Sequence, residues 1–500
     1  MIERLLIANR GEIAVRIAHA CRELGIESIA VYSDADANAA HVAVAARAVR
    51  LGPPPASDSY LNIHALLDAA RMTKADAVHP GYGFLSENAA FAAACHDAGL
   101  LFVGPPANAI AKMGSKINAR RVAEAAGVPV VPGHTPADQS DGGIIGALES
   151  VGFPALVKAS AGGGGRGMRE VRDLAGAEAI VQSARREAQA AFGDGTLYVE
   201  RLIDTPHHVE IQIFADTHGN TAHLFERECS AQRRHQKVIE ESPSPLLTPE
   251  LRQRMTDAAI RAARAVGYVN AGTCEFLVDF SRGANGETPF YFLEMNTRLQ
   301  VEHPVTEQVA GVDLVRAQLL VTSGEPLPWT QPSLVQRGHA VEARVYAEDP
   351  AQGFLPQAGR LLLYREPRHP GVRIDSGFRE GDTVGVHYDA LLAKVIATAE
   401  TRDLAIARLL SALRDFPILG IRTNIPFLMR LLETEAFRSG KVHTGFLDSE
   451  GAYLAADPAA APPEFLRDVV NAAREQRLPI EGAAPSSWDP WVGTRGWNVR

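Results

Sequence analysis

Phe290-Tyr291-Phe292-Leu293-Glu294-Met295-Asn296-Thr297-Arg298-Leu299-Gln300-Val301-Glu302-His303-Pro304 decides how this chain reads. The run opens apolar and aromatic, as a buried strand does, and then becomes polar at every second position. Side chains two apart in an extended chain share one face. Glu294, Asn296, Arg298, Gln300 and Glu302 are therefore expected on one face of a single ribbon. Upstream, Gly272–Asp279 reads as another strand, and Ser281–Pro289 between them carries turn chemistry. A hairpin of the two strands sets Glu275 beside Glu294. Adjacent carboxylates repel unless a cation lies between them, and hard oxygen ligands suit magnesium held with a nucleotide. Taken alone, the run also fits a half-solvated edge strand with a charged outer face. Stretches elsewhere weigh against that plainer reading.

The first of these lie in the middle of the chain. Ser115 is a plausible N-cap for a helix over Lys116–Ala126, which places Lys116 in the first turn, against the helix dipole. A lysine there points to an anionic partner. Phe153–Lys158 reads as a strand, followed by Ala159 to Met168 with consecutive glycines at 162–165. Glycine lets backbone N–H groups close around phosphate oxygens without side-chain obstruction. The run is not a P-loop, and a glycine run can also be a flexible linker. Expected strands on both sides, and Lys158 and Arg166 bracketing it, favour the phosphate reading. Leu197–Ile203 is an apolar strand able to meet an adenine edge with its backbone, and His208–Phe214 alternates as a strand. Glu226–Lys237 is dense in donors, a pattern usual for a solvated charged face. Leu246–Val266 returns to helix.

Toward the N-terminus, Arg4–Ala8, Glu12–Leu24 and Ser28–Tyr32 form a βαβ unit, which predicts parallel pairing. Alternation continues through Tyr60–Met72 (helix), Ala77–His79 (strand), Glu87–Ala98 (helix) and Leu101–Val103 (strand). His79–Asn88 is a loop at a strand end, where ligands sit in open parallel sheets. Tyr82, between two glycines, is either open to a ligand or packed on its own domain. Asn9-Arg10-Gly11-Glu12 lacks the G-x-G-x-x-G pattern, so no dinucleotide site is expected. Toward the C-terminus, strands are expected at His339–Tyr346, Arg360–Arg365, Gly385–Tyr388 and Ala393–Ala397, with helices at Arg402–Phe416 and Asn424–Leu432. An alanine- and proline-rich linker, Ala456–Pro463, then leads to one helix near Glu464–Glu475 and a tail holding Trp488, Trp491 and Trp497.

Five hundred residues exceed one compact core, so about two to four domains are expected. A net charge of -9 gives no support for a nucleic-acid or membrane role. Cys21, Cys95, Cys229 and Cys274 are scattered without metal-ligand spacing, which fits a reducing compartment. Met1 to Arg4 runs straight into a strand with no signal segment, so a cytoplasmic protein is expected.

Five stretches, taken in order, carry a family resemblance: Ile7–Ala14, His79–Asn88, Lys158–Met168, Gln232–Lys237 and Glu294–Val305. Over Ile2 to about Leu447 the chain resembles the ATP-grasp ligases and, within them, the biotin carboxylases. The resemblance implies a multidomain α/β and α+β fold: a parallel βαβ domain over residues 1–113, an ATP-grasp domain over 114–333 with a mobile lid at about 131–204, an α+β C-terminal domain over 334–447, and a linker, helix and tryptophan-rich tail over 448–500. It also implies site roles. Lys116, Lys158, Glu200, Ile203, His208, Gln232 and His235 match ATP contacts, with Gly163, Gly164, Gly165 and Met168 of the glycine loop. Glu275, Glu294 and Asn296 match ligands of magnesium, or of manganese in its place. Lys237, Arg298, Gln300, Val301 and Glu302 match a bicarbonate site with Glu302 as general base. Arg344 matches the stabiliser of a biotin enolate, and Tyr82 lies near the biotin ring.

Arg201 stands where the family often has lysine, and Ala390 where proline or serine is common after the aspartate. No Ala-Met-Lys-Met biotinylation sequence and no carboxyltransferase region occurs in these residues. Biotin is therefore expected in trans on a carrier protein or domain, with a carboxyltransferase subunit as further partner, in a homodimer or larger hetero-oligomer. The tail resembles the connector of single-chain acyl-CoA carboxylase α-subunits. Rival readings are another bicarbonate- or carboxylate-activating ATP-grasp ligase, and a non-catalytic ATP-binding scaffold.

Overall fold

A computed structural model describes residues 2–160, 168–282 and 287–456. Strand Arg4–Ile7 lies between Glu27–Ser33 and Ala77–His79 in a five-stranded parallel sheet, with Arg47–Gly52 and Leu101–Phe102 at its edges. Both faces are covered, as a parallel sheet requires. Leu5 and Ile7 pack with Ile13, Ile17 and Leu314, whereas Leu6 faces the other way toward Leu66, Ala69 and Phe91. The helices Ile63–Thr73 and Ala89–Asp97 begin later than the apolar pattern suggests. Asn62 and Asn88 cap them by accepting the N–H groups of Ala65 and Phe91.

The second sheet is antiparallel and eight-stranded. Its order is Phe290–Asn296, Asn270–Val278, His207–Ala215, Thr221–Arg233, Gln236–Ser242, His339–Tyr346, Leu391–Ala399, Val372–Ser376. One hydrogen-bonded layer thus runs from the middle of the chain into its C-terminal third, with Ile239 paired to Ala343 across the junction. Helix Pro249–Ala265 buries Met255, Ala258, Ala259 and Ala262 against Val209, Ile211 and Phe276 of this sheet.

Within Glu226–Lys237 the sheet overturns the solvated reading for Glu226–Gln232 and leaves only the turn at Arg234 and His235 exposed. The run is instead a hairpin within the sheet, and Arg227 is fully buried. Its guanidinium donates to Glu210 (2.5 Å), Gln212 (2.7 Å), Thr306 (3.0 Å) and Thr273 (3.1 Å). A charge is tolerated there only because partners from three other elements meet it. None of them is a neighbour in sequence. Arg227→Met leaves these acceptors short of donors, and thermal or denaturant unfolding should show a loss of about 3–5 kcal/mol.

A third, four-stranded antiparallel sheet orders Gly133–His134, Leu197–Arg201, Ala155–Ala159 and Met168–Val171. Helices Asp141–Val151 and Ala177–Phe192 cover it, and Ile144, Leu148, Val157, Val181 and Val199 give it a core of its own. Lys158 stands opposite Met168 across the strands that flank the glycine run. The run itself, with Gly163, Gly164 and Gly165, lies outside the described residues, as do the expected helix Glu464–Glu475 and the tryptophan-rich tail.

The C-terminal strands depart from expectation in two places. Arg360–Arg365 divides into Gly359–Arg360 and Leu363–Tyr364, which pair with Thr383–Val384 and Ile418–Leu419 respectively. Gly385–Tyr388 is not a strand. Its chain turns away so that Tyr388 packs edge-on against Tyr60 and Phe84 of the N-terminal region. No helix among the described residues is long and apolar enough to cross a membrane.

Candidate active site

The expected hairpin forms in the expected register, with Glu275 opposite Glu294 and Thr273 opposite Asn296. The single ribbon face does not extend to Glu302. The strand ends at Asn296, and Glu302 takes the N-cap position of helix His303–Ala310. Two contacts draw the chain off the sheet. Leu299 is fully buried in the N-terminal core, and Glu87 accepts from the Thr297 N–H and from Arg298 Nε, each at 2.9 Å. The polar residues still converge, by a turn rather than by strand alternation.

Glu275 is a hub. Its Oε1 accepts from Asn296 Nδ2 (2.8 Å), Gln300 Nε2 (3.0 Å) and Lys237 Nζ (3.0 Å), and its Oε2 lies 3.0 Å from His208 Nε2. Burial pushes this carboxyl up, but Lys237 and His208 outweigh it and hold it well below the usual carboxylate range. Lys237 Nζ also lies 2.6 Å from both Glu210 and Glu302. Glu302, fully buried, meets Arg344 Nη2 at 2.9 Å through its other oxygen. Against burial, Lys237, Arg344 and Arg227 hold Glu302 ionised and far below its ordinary value. Arg344 Nε in turn reaches Glu240 at 2.5 Å, and burial outweighs that contact to push Glu240 up to about 7. Arg298 Nη1 donates to Gln300 at 2.7 Å and its Nη2 to Asn296 Oδ1 at 3.1 Å.

A pH dependence of stability follows from these shifts. Glu275 and Glu302 have depressed folded-state values, so their contribution is complete above the unfolded carboxylate value of about 4.3 and is lost as pH falls below it. Unfolding free energy measured between pH 6 and pH 3, on the order of that window, should fall steeply at its acid end. Glu275→Gln should flatten the fall.

The residues expected to meet the nucleotide lie close to this cluster, Lys116 facing Glu294 and His208 facing Glu275. Lys158 Nζ reaches Glu200 at 2.5 Å, and Arg120 holds the other Glu200 oxygen at 2.8 Å. Ser115 caps helix Lys116–Ala125, and Lys116 is half-buried in its first turn. Burial lowers the Lys116 ammonium, against the attraction of Glu294. Ile203 is buried just past strand Leu197–Arg201, and Met168 is half-buried opposite Lys158. Gln232 lies 3.3 Å from His208 Nδ1. His235 is exposed at the hairpin turn, where Arg234 and His235 take φ of 48° and 65°. Two successive left-handed residues suit a tight two-residue hairpin but cost strain without glycine. Arg201 is drawn away to the Tyr291 hydroxyl at 2.9 Å.

Glu294 is half-buried, and its carboxyl is pushed up by burial and then by the charge of Glu275. A divalent cation between the two would remove that repulsion, and the donor set is hard oxygen, so Glu275 and Glu294 fit magnesium. Asn296 fits only after turning, because its oxygen accepts from Arg298 and its amide donates to Glu275.

Beside this cluster lies a cavity of about 520 Å³ whose walls include Tyr82, Phe84, Arg298, Val301, Arg344 and Asp389. Tyr82 donates its hydroxyl to Glu12 and also faces the cavity, so both readings of it hold. Its loop is fixed by Asn9, whose amide donates to the carbonyls of Pro80 and Tyr82 at 2.7 Å. Gly81, with φ of 62°, touches that amide so closely that a Cβ would come within 2.8 Å of it.

Sequence reasoning missed Glu210, Arg227, Glu240 and Glu87. Glu210 had a signal, since it shares parity with His208 and Gln212 in an alternating strand. Glu87 stood in the singled-out loop His79–Asn88, whereas Glu240 had no signal, because its contacts come only from chain folding.

A parallel N-terminal sheet, a small sheet carrying Lys158 and a large sheet presenting paired carboxylates define a ligase of the ATP-grasp class. Family profiles agree along the chain: "Biotin carboxylase, N-terminal domain" over residues 1–110, "Carbamoyl-phosphate synthase L chain, ATP binding domain" over 115–330 and "Biotin carboxylase C-terminal domain" over 342–449. The chain is 49% identical over 449 residues to biotin carboxylase 1 of Bacillus subtilis, covering 90% of this chain and 99% of that protein. It is 48% identical over 447 residues to the mitochondrial methylcrotonoyl-CoA carboxylase subunit alpha of Rattus norvegicus, covering 89% of this chain and 62% of that relative. The fold matches the biotin carboxylase domain of the Hydrogenobacter thermophilus 2-oxoglutarate carboxylase, solved as a dimer with MgADP, ADP and bicarbonate. That match has a TM-score of 0.87 at 41% identity and covers 92% of this chain and 100% of that one. The chain belongs to the biotin carboxylase family.

Proposed function

We propose that this chain carboxylates biotin, using ATP and bicarbonate, as the first half-reaction of an acyl-CoA carboxylase. The observation that carries the reading is Glu302, buried and ionised between Lys237 and Arg344, close to the cavity that both Arg344 and Arg298 line. A carboxylate held so low is a weak base at rest. An arriving bicarbonate competes for Lys237 and Arg344, loosens both, and raises Glu302 toward a value at which it can take the proton.

The deprotonated oxygen then attacks the γ-phosphorus, the bond to ADP breaks, and carboxyphosphate forms. Lys158 and Lys116 offset charge on the phosphoryl oxygens, while Arg298 and Lys237 hold the carboxylate end. Gln300 and the Val301 backbone complete the bicarbonate site. Ile203, His208, Gln232, His235 and Glu200 orient the nucleotide, with Met168 beside them. Magnesium, held by Glu275 and Glu294, supplies further charge stabilisation at the phosphates. Carboxyphosphate breaks into carbon dioxide and phosphate. Phosphate takes the ureido N–H proton of biotin, Arg344 steadies the enolate oxygen beside Tyr82, and the nitrogen attacks carbon dioxide. The lid at about 131–204, which carries the small sheet, closes over the site, because such intermediates hydrolyse in water.

We further infer that biotin arrives on a separate carrier protein or domain, that a carboxyltransferase subunit uses the product, and that the chain works as a homodimer or in a larger hetero-oligomer. A relative named as a subunit alpha and a fold relative solved as a dimer support this. Cysteines at 21, 95, 229 and 274, all buried and unbridged, support a reducing, cytoplasmic setting.

Phosphate release from MgATP, with and without bicarbonate and free biotin, tests the reading. Bicarbonate should be required and biotin should raise the rate severalfold. Tight ATP binding with no turnover under any condition would instead favour the scaffold reading.

A further inference from the structure

Behind the cavity, three parts of the chain meet at one ammonium. Lys394, on strand Leu391–Ala399 next to the edge of the large sheet, is fully buried. Its Nζ donates to the Val301 carbonyl at 2.9 Å and lies 3.0 Å from Glu12 Oε1 and 3.6 Å from Asp375 Oδ2. That same Glu12 oxygen accepts the Tyr82 hydroxyl, and the Tyr82 ring centroid is 6.0 Å from Nζ. Val301 precedes the proposed base Glu302, and Tyr82 and Val301 are two walls of the cavity. Lys394 does not itself line the cavity, so it touches neither substrate.

The support beneath the ammonium is stiff. Arg373 clamps Asp375 through two bonds of 2.7 and 2.8 Å and reaches Glu307, in the helix that Glu302 caps, at 2.6 Å. Gly377 lies so close to the start of helix Gly11–Leu24 that a Cβ would come within 2.7 Å of the Glu12 nitrogen. Glu12 therefore has little room to follow a shift in its partner.

We propose that Lys394 is a positioning residue: through Glu12 it sets Tyr82, and through the Val301 carbonyl it sets the peptide leading into Glu302, so that the two walls of the acceptor pocket stay at the separation biotin needs. Without the ammonium, Glu12 keeps only the Tyr82 hydroxyl and the Val301 carbonyl loses its donor. The biotin subsite should then loosen while the nucleotide subsite, built on Lys116, Lys158 and His208, is untouched. The inference rests on the biotin carboxylase reading, which the parent protein's own response to biotin tests separately.

The test is a double-mutant cycle on the full chain, reading KM for free biotin, kcat and ATP affinity in Lys394→Met, Tyr82→Phe and the double variant. Each single change should raise the biotin KM about tenfold, and the double variant about as much as either alone, because both act on one contact chain. ATP affinity should stay at the parent value. Multiplying effects in the double variant would overturn the proposal, as would ATP affinity and biotin KM worsening together, which is what a purely structural lysine gives. If Lys394→Met does not fold, Glu12→Gln replaces it in the same cycle with Tyr82→Phe. That variant keeps shape and removes the charge Lys394 acts through, so it should show the same KM signature; an unchanged biotin KM there would equally overturn the proposal. A parent protein whose ATP hydrolysis ignores biotin, free or carrier-borne, would overturn the family reading before this one.

Discussion

Glu302→Gln loses bicarbonate-dependent ATP hydrolysis by about 10²–10⁴-fold, the usual worth of a positioned general base, while ATP binds as in the parent. The amide keeps the shape of the carboxylate and can still accept from Lys237 or Arg344, so the fold around it survives. What it cannot do is take the bicarbonate proton. ATP binding is expected to hold because Lys158, Glu200 and Gln232, the proposed nucleotide contacts, make none of their described contacts to Glu302. Calorimetric ATP titration beside a phosphate-release assay separates the two quantities. Hydrolysis at the parent rate would remove Glu302 from the role of base.

Lys237→Met should be the more damaging change, because it acts on stability and rate together. One half-buried ammonium lies within 3.0 Å of oxygens of Glu210, Glu275 and Glu302. Without it Glu210 retains Arg227, Glu302 retains Arg344 and Glu275 retains His208, but the carboxylates face one another with less positive charge between them. Breaking one side of a buried ion network costs about 3–5 kcal/mol. The same loss removes the cation that would meet bicarbonate, so turnover should fall at least as far as in Glu302→Gln. A second signature separates the two variants. Lowering the pH protonates carboxylates that now lack a partner, so Lys237→Met should recover part of its lost stability relative to the parent in mild acid. Urea unfolding at two pH values would show the gap narrowing, and a Lys237→Met protein as stable as the parent at neutral pH would contradict this.

The parts that could be read in the sequence were those carried by local pattern. The βαβ alternation gave the parallel N-terminal sheet, and the turn chemistry of Ser281–Pro289 gave the hairpin with Glu275 opposite Glu294. Ser115 as a cap placed Lys116 correctly because a cap is a three-residue interaction. The failures share a physical cause. Arg227 looks solvated in the linear chain because its acceptors sit on three distant elements. Glu302 looks like a continuation of a strand because nothing local shows that Leu299 is pulled into the N-terminal core. Lys394 reads as one polar position in an apolar strand, and only folding brings Glu12, Asp375 and the Val301 carbonyl around it. Roles for residues whose contacts span the chain were expected from the family resemblance, because periodicity carries no signal for them.

Under the proposed function, ATP is spent to place the carbon of bicarbonate on biotin. Carbon-labelled bicarbonate, MgATP and the protein, incubated with free biotin and in parallel with a biotinylated carrier domain, test it in one experiment. ATP-dependent label is expected on biotin in at least the carrier arm, with about 10²–10⁴-fold less from Glu302→Gln. ATP consumed in step with bicarbonate while neither form of biotin acquires label would contradict it.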